Sequence, residues 1–208
     1  MNSTISVDPT LLLLLIACLY ILVFGALSFM RREGLSVRFA LEVLVVTAVL
    51  VGITYLIREP LSPFLFLIIL YLITMRSRLM VDVANLFAER GRHKTAFSLY
   101  RLSLAWWPDA SARLIVLTNR GAAELHSGQT EAAIQTLEGV LAEQNRPRLG
   151  LKYEAACHYN LGLAYERKGE RAKAVEQFHQ VVDLLPGSPY GQAAAAALTR
   201  WKEKTPKD

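Results

Sequence analysis

The side chains that could do acid–base or metal chemistry in this chain are few and poorly placed for it. The four histidines, His93, His126, His158 and His179, show no HExxH spacing, and no cysteine or carboxylate pair accompanies them. A metal site needs such ligands at a spacing that lets them converge. Neither a glycine-rich phosphate loop nor a GxSxG nucleophile elbow is spelled out. Cys18 and Cys157 lie far apart in the chain without metal-ligand spacing, which makes both reduced packing residues. Glu42 is the acid that invites a function, because it lies inside an apolar stretch, where a proton or cation site is the default reading. It also follows Arg38 by four residues, one turn inside the end of that stretch, where an interfacial ion pair suffices. The expectation is a protein that is not an enzyme and needs no cofactor or metal.

The elements that must carry these residues divide near residue 75. Residues 11–30 hold no charge, 39–57 only Glu42, and 61–75 none. A membrane-spanning helix takes about 20 apolar residues, which the first two stretches supply. The third is shorter. Ser62 and Pro63 fit an N-cap and a first helical position, and neither Pro nor Gly interrupts residues 64–90. A third span over 61–78 is therefore predicted, with Arg76 and Arg78 snorkelling to the headgroups and the helix running on into the polar half of the chain. The N-terminal part, 1–75, is expected to be an anchor of three transmembrane helices, 11–30, 39–57 and 61–78. On the second, Ala48 and Gly52 form a small-xxx-small face, for the protein's own bundle or for a partner's helix.

Charge orients this anchor. Residues 1–75 hold as many acidic as basic side chains, so the net charge of +5 sits entirely on 76–208. Arg31, Arg32 and Arg38 follow the first stretch, Arg58 the second, and Arg76, Arg78, Arg90, Arg92 and Lys94 the third. Positively charged loops stay in the cytoplasm. The expectation is a multi-pass protein of the bacterial inner (cell) membrane with its N-terminus outside and residues 77–208 cytoplasmic. A cleaved signal peptide is not expected, because a basic n-region is missing. The basic collar between residues 76 and 101 suits anionic lipid rather than nucleic acid, since the rest of the domain is nearly neutral. Asn2-Ser3-Thr4 matches a glycosylation acceptor by chance.

Beyond residue 76, Gly91, Gly128 and Gly169 each separate two amphipathic stretches, 37 and 41 residues apart. The last unit reads His158-x2-Leu161-Gly162-x2-Tyr165, then Ala174-x3-Phe178 and Pro186. This resembles the tetratricopeptide repeat. The first unit resembles it through Val83, Ala84, Phe87, Ala96, Tyr100 and Pro108. The middle unit keeps Gly121 and Ala133 but places Glu124 and Leu137 where rings are usual, and Pro147 falls late, in a loop around Arg146-Pro147-Arg148 and Gly150. The resemblance implies an all-α protein. After the three expected transmembrane helices it implies an α-solenoid of three helix hairpins (about 77–110, 114–147 and 155–188), with a capping helix expected over 190–203 in which Trp201 covers the end.

Stacked hairpins line a groove with their first helices. Asp82, Asn119 and Asn160 each precede their turn glycine by nine residues and so form one row, with Asn85, Thr118, His126, Tyr159 and Glu166 as neighbours. In peptide-binding relatives such asparagines bond the backbone of an extended ligand. A clamp for a C-terminal carboxylate is not implied, because Val81, Ala156 and Asn160 stand where that clamp needs cations. The expected function is a membrane-anchored adaptor or assembly factor that holds partner proteins at the cytoplasmic face. An accessory subunit of a larger membrane complex is the alternative, and a transporter or intramembrane enzyme using Glu42 is a second.

Overall fold

The structure is a computed structural model and describes residues 8–30, 36–143 and 149–203. The arginines 31 and 32, the tripeptide 2–4 and the loop residues 146–148 singled out above lie outside these. Among the described residues there are ten helices and no strand: α1 (Pro9–Met30), α2 (Val37–Ile57), α3 (Pro63–Thr74), α4 (Arg76–Glu89), α5 (His93–Ala105), α6 (Ala110–His126), α7 (Thr130–Glu143), α8 (Leu151–Lys168), α9 (Arg171–Leu184) and α10 (Pro189–Glu203). They fall into two compact units, the first ending at Arg76.

The first unit packs α1, α2 and α3 around Leu13, Ala17, Tyr20, Val43, Phe66 and Leu70. The Asp8 carboxylate accepts from the Thr10 N–H at 2.7 Å, just ahead of Pro9, and Ser36 Oγ accepts from the Phe39 N–H at 3.2 Å. Both close helix starts that would otherwise leave donors unpaired. The outward face is apolar, with Leu22 68% and Tyr55 88% exposed, the kind of surface that marks a protein or membrane contact. Two helices, α1 and α2, are long and apolar enough to cross a membrane. At 1.5 Å per residue each extends about 32 Å.

The third predicted span is corrected. The 12-residue α3 covers only about 18 Å, and it reaches span length only if joined to α4 across a bent break. The predicted uninterrupted rod does not exist, because helix α3 ends at Thr74 and Met75 adopts φ −99°, ψ 7°. Side chains take two carbonyls close to the break. Thr74 Oγ1 donates back to the Leu70 carbonyl at 2.7 Å, and the Arg76 guanidinium donates to the Ile73 carbonyl at 2.7 Å. Back-bonding of this kind bends or interrupts helices. Pro63 does open α3, but the Ser62 hydroxyl makes no capping bond.

The second unit is three consecutive helix hairpins, α4–α5, α6–α7 and α8–α9, closed by α10. Each hairpin turns on a glycine with positive φ: Gly91 at 71°, Gly128 at 84° and Gly169 at 77°. At each, the glycine N–H returns to the carbonyl three residues back, and the next residue's N–H to the carbonyl five back, as Arg92 does to Phe87 at 2.9 Å. This is the Schellman closure, which needs a left-handed residue at its corner. Behind the turns, a small residue on the first helix meets a large one on the second. A Cβ added at Gly121 would lie 2.7 Å from the Leu137 side chain, and one at Gly162 would lie 2.6 Å from the Phe178 ring. Ala84 and Tyr100, both fully buried, share the same 16-residue offset in the first hairpin.

The hairpins are also joined to one another. The Tyr165 hydroxyl donates to the Glu138 carboxylate, and the Arg167 guanidinium to the Leu125 carbonyl. Helix α10 covers the last hairpin with Ala194 and Ala197, and Trp201 packs on Phe178 with ring centroids 5.7 Å apart.

Candidate functional site

The first helices of the hairpins repeat one polar face. Residues 78, 82, 85 and 89 on α4 and residues 115, 119, 122 and 126 on α6 follow the same spacing, and 152, 156 and 160 continue it on α8. This is the period of one helix side. These faces line a groove of about 850 Å³ within the second unit. Asp82, Asn85, Thr118, Asn119, His126 and Asn160 all belong to its wall.

A chain of hydrogen bonds runs along the wall. Buried Tyr100 donates its hydroxyl to Asn85 Oδ1 at 2.5 Å, Asn85 Nδ2 donates to Asn119 Oδ1 at 3.0 Å, and Asn119 Nδ2 donates to the Ile115 carbonyl at 2.8 Å. Asn160 Nδ2 is held in the same way by the Ala156 carbonyl at 2.8 Å. Each amide nitrogen carries two hydrogens, so each of these side chains is fixed through one of them and retains the other. That is a preorganised set of donors, suited to backbone carbonyls of an extended chain. Thr118 contributes shape more than bonding, since its hydroxyl is spent on the Leu114 carbonyl at 2.9 Å. Charge along the wall is mixed, with Asp82 and Glu89 against Arg78 and Lys152. Burial, with the Glu89 charge adding to it, pushes the Tyr100 phenol up to about 12. It therefore stays a donor at any physiological pH.

Two predicted neighbours belong elsewhere. Tyr159 packs its ring between Phe178 and Tyr190, at 5.9 and 5.6 Å between centroids, and so helps seat α10. Glu166 is half-buried on α8 and is not among the groove residues. Sequence reasoning missed Arg78, Lys152, Tyr153 and Tyr190 in the wall. Arg78 and Lys152 lie one and two turns before the Asp82–Asn119–Asn160 row, so extending that row by helical period would have found them. Tyr190 was not accessible that way, because it comes from the capping helix.

The substituted slots of the middle hairpin have a physical account. Glu124, 3% exposed, accepts from Arg120 Nε and from the Thr136 hydroxyl, each at 2.8 Å. A buried carboxylate held this way replaces the ring expected there. His158 bonds Gln177 at 2.7 Å between α8 and α9, a packing role. Among the described residues no group of histidine, cysteine and acidic side chains is placed to hold a metal.

Glu42 has a partner beyond the one expected. Both guanidinium nitrogens of Arg76 reach its carboxylate, at 2.8 and 2.9 Å, whereas Arg38 stands at 3.7 Å. Ala48 and Gly52 lie on the exposed side of α2, and nothing in the protein comes within 4 Å of a Cβ placed at Gly52.

Comparison with known families agrees with this geometry at its most regular point. Residues 155–188, the hairpin α8–α9, match the tetratricopeptide repeat family. A search of curated proteins finds no match. The tetratricopeptide repeat is in general a protein-interaction module and not a catalytic one.

Proposed function

We propose that this protein is a membrane-anchored adaptor or assembly factor whose groove holds an extended segment of a partner protein. The observation that carries the reading is the relay from Tyr100 through Asn85 and Asn119, which fixes amide donors along a groove before any ligand arrives. Preorganised donors of this kind reduce the ordering cost of binding. The helices α1 and α2 supply the anchor. Arg76, the first residue of α4 and the last of the first unit, is paired to Glu42, near the start of α2. The first unit therefore ends on the side where α2 begins, at Arg38 and just after Arg31 and Arg32 in sequence, and positive loops face the cytoplasm. That supports a cytoplasmic second unit.

The test uses the full chain in its own membranes, with a photo-cross-linking residue at Ala122 in the groove and, as control, at Ser98 on α5. A partner captured from position 122 and lost when Asn119 and Asn160 are both changed to Ala supports the reading. Equal capture with and without the asparagines overturns it. A second reading, an accessory subunit packed laterally in a larger complex, is favoured by the outward Ala48–Gly52 face. Stoichiometric partners retained in mild detergent, indifferent to the groove substitutions, would select it.

A further inference from the structure

The corner that ends the first hairpin is built against the grain of folding. After α5, Trp106 caps the helix and Trp107 takes φ 51°, a left-handed conformation that costs a bulky L-residue about 1–2 kcal/mol. The three hairpin turns use glycine for that conformation. Trp107 is also 79% exposed, with Trp106 43% and Leu102 39% exposed beside it in the chain. An exposed indole presents an amphipathic ring, apolar in body with a polar N–H, at this corner.

The location of this corner follows from the hairpin. Ser103 Oγ donates to the Ser77 carbonyl at 3.0 Å, so the end of α5 lies beside the beginning of α4. Ser77 directly follows Arg76, the last residue of the apolar unit. The tryptophan pair is thus tied to the end of the second unit where the chain arrives from its apolar helices, although 30 residues separate Trp106 from Arg76. Arg78 stands on the first turn of α4, and Arg101 is exposed on the last turns of α5. Indoles at the same end of a unit as arginines are what the headgroup layer of an anionic bilayer selects.

We propose that the Trp106–Trp107 corner is a lipid-interface anchor, resting in the headgroup layer of the same bilayer that holds α1 and α2. This depends on reading those helices as membrane spans. The experiment reconstitutes the full chain, with Trp106→Phe and Trp201→Phe so that Trp107 alone reports, into vesicles of phosphatidylcholine and phosphatidylglycerol. A matched set carries lipids brominated near the headgroup end of the acyl chains. Bromolipid quenching of Trp107 emission is expected; its absence overturns the anchor, whether water, a second copy or a protein partner covers the ring instead. An alkaline wash of the same vesicles separates the two readings. Release of the chain would mean that the membrane reading fails, whereas retention without quenching would mean that the anchor alone fails. In the chain carrying Trp106→Phe and Trp107→Gly, the remaining Trp201 should be unaffected by bromine, and equal quenching there would also defeat the proposal. Should replacing Trp201 unsettle α10, Trp107→Gly in the otherwise unchanged chain must lose a share of the bromolipid effect.

Discussion

At Gly162 the fold has no room for one more carbon, since a Cβ would lie 2.6 Å from the Phe178 ring. Changing Gly162 to Ala should therefore destabilise the chain by about 1–3 kcal/mol through overpacking. At Gly139, on the exposed side of α7 with nothing within 4 Å of a Cβ, the same substitution should stabilise by about 0.5–1 kcal/mol. Thermal unfolding of the full chain in detergent reads both, and a Gly162→Ala protein as stable as wild type would refute the close approach. The slot itself was legible, because a small residue and a ring recur at one offset in the family's pattern. The compensation around Glu124 was not. Its partner Thr136 lies on the next helix, and no local pattern announces a hydroxyl that replaces a ring contact.

Among elements, the hairpins were legible because their corners demand glycine, and the glycines stand at regular intervals. The break at Met75 was not, since the sequence there lacks Pro and Gly and reads as continuous helix. The bond that accompanies it is long-range: Glu42, 34 residues earlier in sequence, pairs with the Arg76 guanidinium, which also takes the Ile73 carbonyl. The pair is partly buried, and its two charge-assisted bonds are of a kind worth about 1.5–3 kcal/mol each when hydrogen-bonded and desolvated. Glu42→Gln and Arg76→Gln should each weaken the first unit. Together they should cost less than their sum, with a coupling of about 1 kcal/mol or more. Resistance to unfolding by a denaturing detergent, followed by circular dichroism, measures this cycle. Strict additivity would show the pair to be incidental.

For the molecule as a whole, hydropathy located the boundary between an apolar and a polar half, and the repeat spacing placed most of the groove wall. The number of membrane-length helices was overcounted, because residue composition cannot show where a helix stops. Stability of the repeat unit should fall at high pH. Burial raises the Tyr100 phenol from 10.0 to about 12 and also raises those of Tyr165 and Tyr190. Each stabilisation is complete below pH 10, where unfolded tyrosine is still neutral, and is lost as pH climbs through the folded value. For Tyr100 that loss is about 2–3 kcal/mol. Tyr100→Phe should lose about 1 kcal/mol at neutral pH with its bond to Asn85, yet show a shallower decline in melting temperature between pH 10 and 12. An unchanged slope would place the sensitivity elsewhere. One more property follows from the seam between α7 and α8, where Cys157 donates its thiol hydrogen to the Leu137 carbonyl at 3.4 Å and burial holds the sulfur in its unreactive protonated form. Parting of those two helices would expose the thiol, so the rate at which a thiol reagent reaches Cys157 reads the opening of the array's middle joint.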